Sequence, residues 1–235
     1  MWSGPRNIST AMMRSWGNRT DAVVIDEPFY AFYLKRTGKP HPGAEEIIAK
    51  GETDWRKIVD RLVTWEPGEK QIFFQKQMTH HLLPEIDRKW IIKLTNCFLI
   101  RDPREVILSY SKKNPNPALE DLGYVQQLEI YNFVRETTDS APPVIDARDV
   151  LKNPERMLRR LCRAIGIEFD PAMLSWPKGL RETDGIWAKH WYDAVARSTS
   201  FEADRPRQGE VPQSLKRIYD QCCECYERLH THRLR

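Results

Sequence analysis

The residues best suited to bind an anion sit in the stretch MWSGPRNISTAMMRSWGNR. Gly4, Pro5 and Arg6 read as a tight turn, Asn7 follows, and Ala11 to Trp16 has helical character. A turn that feeds a helix N-terminus aims unpaired backbone N–H groups at one point, where the helix dipole adds partial positive charge. Arg6 supplies a full charge, and the hydroxyls of Ser9 and Thr10 supply further donors. The same residues also suit a helix that binds nothing, with Ser9 or Thr10 as its cap. Neither usual nucleotide pattern is present. The Gly-Lys-Ser/Thr that ends a P-loop is absent, and so is Gly-x-Gly-x-x-Gly.

A second cation stands in FLIRDPREVILSYSKK. Arg101 ends an apolar run, Asp102 and Pro103 turn the chain into a helix, and Ser109 lies two turns further on. Alone, this is a capped helix beside a surface Arg. Together with the first turn, it makes a pair of anion sites on one sheet edge.

The elements that must position these residues alternate. AVVID (residues 22–26), QIFFQKQM (71–78), NCFLIRDP (96–103) and PPVIDARD (142–149) read as short buried strands. Between them lie helical patterns. One runs from an Asp54 cap to Trp65, one from Pro103 to Ser111 and one from Leu119 to Thr137. Another starts at Asn153 and Pro154 and stops at Gly166, and a last one spans Gln213 to Leu229. This alternation predicts a three-layer α/β fold, a mostly parallel sheet flanked by helices, over a single domain of residues 1–235. Ligands of such sheets bind at the strands' carboxyl ends. Two Pro-rich polar stretches, KKNPNPALED and SFEADRPRQGEVPQ, read as loops of the kind that serve as lids.

Composition narrows the function classes. Lys and Arg number 37 against 33 Asp and Glu, a net charge of +4 that suits small anions but does not demand nucleic acid. No apolar run is long enough to span a bilayer, and no secretory h-region follows the N-terminus. The expected location is therefore the cytoplasm, without a membrane or nucleic-acid partner. The five cysteines are an odd set for a disulfide framework. CCECYERLHTH contains C-x-x-C and two histidines, but it lies on one helix without a second ligand pair, so no metal site is expected.

The two anion units resemble the donor-binding motifs of sulfotransferases that use 3′-phosphoadenosine 5′-phosphosulfate. Pro5, Arg6, Asn7, Ile8, Ser9 and Thr10 occupy the places of the family's Pro-Lys-Ser-Gly-Thr-Thr phosphosulfate loop, which Gly4 precedes. Arg101 and Ser109 match its 3′-phosphate motif. Arg207 and Gly209, in ADRPRQGE, match its late Arg/Lys-Gly contact to the same phosphate. DEPFYAFY, QKQMTHHLLP and VIDARDVLKNPERMLRRLCRAIGIEF also resemble family segments. The likeness runs from Met1 to about Asp170 and thins beyond it. Three departures stand out. Arg6 replaces Lys, Ile8 replaces Gly, and Ala11 stands where cytosolic members often have an adenine-stacking Trp. Trp16, or an aromatic beyond Gly185, would then serve. The strand before the loop is nearly missing: either the start is late, or Met1 to Ser3 form a stub.

The resemblance implies a P-loop NTPase-like architecture and sulfuryl transfer from 3′-phosphoadenosine 5′-phosphosulfate, without a metal, to a hydroxyl or amine of a small-molecule acceptor. Its chemistry parallels phosphoryl transfer, in which positioning and electrostatics dominate. Arg6 would stabilise charge on the leaving phosphate. His80 is the first choice of base, with His81 and Glu27 as alternatives. Adjacent strand residues face opposite sides, so one of the two histidines reaches the site. Lys76 either meets the sulfuryl oxygens or lines the strand end. Trp2, Trp16, Phe29, Tyr30 and Tyr33 are candidate pocket walls, and Trp187, His190, Trp191 and Val195 share one helical face. A kinase-like phosphotransferase and a non-catalytic adenine-nucleotide binder are the competing readings. A homodimer is compatible with all of them.

Overall fold

In the computed structural model, which describes residues 1–66, 68–203 and 207–235, each apolar run contains a strand. These are β2 (Ala22–Asp26), β3 (Ile72–Met78), β4 (Phe98–Ile100) and β5 (Val144–Asp146), preceded by a stub, β1 (Trp2–Ser3). The sheet order is β2-β3-β1-β4-β5, and every pairing is parallel. The stub is thus the central strand. Its neighbours extend the ladder around it: Gln77 N–H donates to the Met1 carbonyl at 2.9 Å, and Trp2 N–H donates to the Cys97 carbonyl at 2.9 Å.

Strand alternation divides the core between two faces. Phe74, Leu99 and Ile145 point to one side, against Met12, Met13 and Trp16 of α1 (Ser9–Gly17). Ile58 and Leu62 of α4 (Trp55–Val63) lie on the other face with Phe98, Ile100 and Val144, after α2 (Tyr30–Thr37) and α3 (Ala44–Lys50). The helix that follows β4 is α5 (Pro103–Tyr110), capped by Asp102 as its sequence predicts. Helices α6 (Leu119–Leu122) and α7 (Tyr124–Thr138) come next, then α8 (Ala147–Lys152) and α9 (Pro154–Ala164). Leu128 and Val134 of α7 join the second face, whereas Met157, Leu158 and Leu161 of α9 join the first.

Local geometry departs from the sequence reading in four places. The expected helix 119–137 breaks at Gly123, whose φ is +71°. The aromatic segment 186–195 forms two short helices, α10 (Ala188–Trp191) and α11 (Asp193–Arg197). The last helix, α12 (Lys216–His230), begins only after a 3-10 turn at Gln213–Leu215. Thr79–His81 is a 3-10 turn, not the end of a strand. The Thr79 hydroxyl donates to the Gly123 carbonyl at 2.8 Å, which ties that turn to the α6–α7 break. Within the loop SFEADRPRQGEVPQ, residues 204–206 lie outside the described residues. No described helix is long and apolar enough to cross a membrane.

A methyl group on Gly123 would stand 2.4 Å from Thr79 Oγ1, on backbone that L-residues avoid. Gly123→Ala should therefore cost about 2–4 kcal/mol of stability, from overpacking and left-handed strain together. Urea denaturation checks this, and an unchanged midpoint would contradict it.

Candidate active site

The carboxyl ends of β1, β2, β3 and β4 open into one cavity of about 490 Å³. This is where a doubly wound sheet is expected to hold ligands. One end is cationic. Pro5, Arg6, Asn7, Ile8, Ser9 and Thr10 line it together with Arg101, Ser109 and Arg207.

The loop after β1 is held by its carbonyls and by its one amide side chain. Asn7 Nδ2 donates to the Leu99 carbonyl at 2.7 Å, and Arg101 Nη1 donates to the Arg6 carbonyl at 2.9 Å. Arg6 Nε donates to Ser109 Oγ at 3.0 Å. The loop and the α5 unit, read separately in the sequence, therefore touch. Arg6 has a φ of +54° and Glu27 a φ of +40°. Such backbone is costly for non-glycine residues and collects at functional sites. Helix α1 has no side-chain cap and no acid in its first turn. Ser9 is inside the helix, so the capping role that Ser9 or Thr10 could have filled is not taken. The positive end of the helix dipole faces the cavity, and no side chain of its own first turn offsets it.

Like charges crowd here. Burial, together with the Arg207 and Arg101 guanidiniums, pulls Arg6 below its usual value. Glu105 steadies the surroundings: its carboxylate accepts from Arg207 N–H at 3.0 Å and lies 3.9 Å from Arg101. Arg104 donates to the carbonyls of Arg207 and Gly209 at 2.9 and 2.5 Å. Two residues of the expected donor set do not line the cavity. Gly209 is a carbonyl anchor for Arg104. Gly4 is a close approach, where a Cβ would stand 2.8 Å from the Leu122 carbonyl oxygen.

The other end is a carboxylate among rings. Lys76 Nζ is 2% exposed and donates to Asp26 Oδ1 at 2.9 Å, Glu27 Oε1 at 2.7 Å and the Tyr192 hydroxyl at 2.5 Å. An ammonium has three protons, and these contacts use all of them. Lys76 is therefore placed to hold Glu27, not to reach a sulfuryl group. Burial works against the Lys76 ammonium, but the Asp26 and Glu27 carboxylates more than reverse this and hold its pKa well above the ordinary value. Burial also raises the Glu27 carboxyl. Tyr192 donates its own proton to Asp26 Oδ2 at 2.7 Å.

His80 and His81 both line the cavity, against the expectation that one would turn away. A 3-10 turn does not alternate faces as a strand does. The His81 ring stacks between Tyr30 and Tyr33, with centroids 4.8 and 4.7 Å away. Burial, with His41 beside it, pushes His80 down to about 3, and burial with His80 beside it lowers His81 well below the ordinary imidazole value. Of the residues weighed as pocket walls, Tyr30, Trp191 and Val195 line the cavity, Tyr33, Trp187 and His190 do not, and Trp2, Phe29 and Trp16 are core. Trp16 stacks on Phe74 at 5.2 Å and is not available to an adenine.

Sequence reasoning missed Tyr192, His41 and Asp184. Arg14 of α1 makes a buried bidentate pair with Asp184, which fixes the start of the 184–203 wall. Nothing in local periodicity marks such pairs. The C-x-x-C cysteines lie on α12, with Cys222 buried and Cys223 and Cys225 half-buried.

An α/β sheet with an uncapped helix start beside a cluster of guanidiniums makes a site suited to an anion. The chain belongs to the sulfotransferase domain family, whose model matches residues 1–221. Two Arabidopsis thaliana proteins, named branched-chain-amino-acid aminotransferase-like protein 2 and protein 1, are each 32% identical over 98% of this chain. The chain spans 41% of the length of each. The sulfotransferase domain of the Synechococcus PCC 7002 olefin synthase is 15% identical, aligned over 94% of this chain and 92% of that domain, with a TM-score of 0.52. That likeness is one of fold.

The buried histidines make stability pH-dependent. The His80 pKa is lower in the folded than in the unfolded chain, so the unfolded chain binds more protons and stability falls as pH drops through the unfolded value toward the folded one. Between pH 6.5 and 4.5 the loss from this one group should be roughly 2–3 kcal/mol. Urea midpoints at the two pH values check this. His80→Gln should flatten the dependence, and an equal dependence in the variant would contradict the assignment.

Proposed function

We propose that the protein transfers a sulfuryl group from 3′-phosphoadenosine 5′-phosphosulfate to a small-molecule acceptor. The observation that carries this reading is the convergence of Arg6, Arg101 and Arg207 with the uncapped start of α1, in one cavity with the half-buried Glu27 carboxylate. The donor set fits a phosphorylated nucleotide. Guanidiniums give forked contacts to phosphate, and among the described residues Arg207 Nε is buried without a partner. Arg6 and the first amides of α1 would hold the 5′-phosphate side. Arg101, Ser109 and Arg207 would hold the 3′-phosphate. The nucleotide supplies the sulfuryl group, carried on a phosphate that can leave.

The chain's own residues then handle the proton and the charge. The acceptor oxygen gains the sulfuryl group and gives its proton to a base. The electron pair of the broken S–O bond stays on the phosphate held by Arg6, where fixed positive charge favours it. Glu27 is the better base in this reading. Its carboxyl is raised by burial, whereas His80, the first choice from sequence, has an imidazole of very low proton affinity. Glu27 Oε1 is tied to Lys76, and Oε2 lies 4.0 Å from His81 Nδ1, on the cavity side. Lys76 is a positioning residue that orients this carboxylate. His80 serves as a neutral hydrogen-bond partner for the acceptor.

Titration calorimetry with 3′-phosphoadenosine 5′-phosphate should show binding by the wild type in magnesium-free buffer. Arg101→Ala should weaken it about 10- to 100-fold, the loss of charged hydrogen bonds. A folded wild type that does not bind would overturn the donor assignment. With an acceptor found by screening, Glu27→Gln should lower turnover by about 10²- to 10⁴-fold while sparing nucleotide affinity. A larger loss in His80→Gln than in Glu27→Gln would return the base role to His80.

A further inference from the structure

The acceptor end of the cavity differs in charge from the donor end. Its lining cation is Lys76, whose three protons are already given to Asp26, Glu27 and Tyr192. His41, His80 and His81 line the same end and are held uncharged by burial. Two further lysines stand near, and both are engaged. Lys39 Nζ pairs with Asp121 Oδ1 at 2.6 Å. Lys113 is exposed, where water screens its charge, and its Nζ donates to the His190 carbonyl at 2.7 Å over the Trp191 ring. Glu27 remains, with a face on the cavity. Asp26 and Glu27 against Lys76 leave this end with an excess of negative charge.

Its polar atoms ask for a hydrogen-bonding guest. His80 and His81 are 6% and 2% exposed, and the Nδ1 atom of each is buried without a partner. Unmet polar groups of this kind favour a ligand that supplies donors and acceptors. The flat walls of Tyr30, His81 and Trp191 add ring surface. An anionic group on the acceptor would meet Glu27, whose partner Lys76 has no proton left to offer it.

We propose that the acceptor is a small hydroxyl compound that carries no anionic group, either neutral or bearing an amine, because this end of the cavity presents Glu27, unpaired ring nitrogens and aromatic faces with every nearby lysine engaged. The inference rests on the sulfuryl-transfer reading above. It adds a charge rule that the reading itself does not contain.

Incubating the protein with ³⁵S-labelled 3′-phosphoadenosine 5′-phosphosulfate and a deproteinised small-molecule extract tests both. Labelled products are separated by electrophoresis at pH 7. A singly sulfated neutral acceptor carries one negative charge, and a sulfated amino alcohol carries none. Products of those mobilities support the proposal. Label confined to products with two or more negative charges overturns it. No labelled product from a protein that binds the nucleotide would overturn the transfer reading itself, and this inference with it. A second measurement uses defined probes. Ligand-observed NMR on the complex with 3′-phosphoadenosine 5′-phosphate compares 4-ethylphenol, tyramine and 3-(4-hydroxyphenyl)propanoate. The first two should bind at least about tenfold tighter than the third, as expected for like-charge rejection. In Glu27→Gln that gap should shrink. Equal or tighter binding of the propanoate by the wild type would overturn the proposal.

Discussion

Three guanidinium groups that repel one another are held in one cavity, and much of the surrounding structure serves to keep them there. Arg6, Arg101 and Arg207 come from three distant parts of the chain. Burial, with the Arg207 and Arg101 guanidiniums beside it, lowers Arg6 below its ordinary value. The scaffolding around them is largely built from carbonyls. Arg101 reaches the Arg6 carbonyl, Asn7 reaches the Leu99 carbonyl, and Arg104 reaches the carbonyls of Arg207 and Gly209. Carbonyl partners fix position without cancelling charge. Glu105 is a partial counterweight at the rim.

The sheet order explains how one cavity holds two unlike ends. Strand β1 stands between β3 and β4, so its loop can touch the Arg101 unit on one side and the Lys76 strand on the other. Beyond β3, β2 delivers Asp26 and Glu27 to the far end. There the logic reverses. Lys76 is matched by carboxylates and a tyrosine, with every proton used. A buried ion cluster of this kind is weak evidence for stability, since desolvation offsets much of the attraction. It does fix the direction in which Glu27 points. The wall that carries Tyr192 is anchored by Arg14 to Asp184 and by the Gly185 N–H to Asp26 at 3.1 Å. The site is therefore closed by a segment far along the chain from the strands it covers.

The strands and their end residues were legible because each signal was local. An apolar run followed by Arg-Asp-Pro marks both the end of β4 and the cap of α5, and that places Arg101 at a strand's carboxyl end without further information. The turn at Gly4–Arg6 was legible for the same reason. The 3-10 turn at Thr79–His81 was not, because it depends on a hydroxyl bonded to the carbonyl of Gly123, forty-four residues away. Tyr192 was invisible too. Its partner Asp26 is 166 positions distant, and no periodicity links them. Three partners, not the residue type, decide what the Lys76 ammonium can still contact. Burial lowers the proton affinity of His80, which a Thr-His-His triplet does not reveal.

The most direct test of the account is a crystal structure with 3′-phosphoadenosine 5′-phosphate bound. The account predicts the 3′-phosphate against Arg101, Ser109 and Arg207, the 5′-phosphate against Arg6 and the first turn of α1, and Glu27 left facing the open end of the same cavity. A nucleotide bound elsewhere, or bound in this cavity with its phosphates at the Glu27 end, would contradict it.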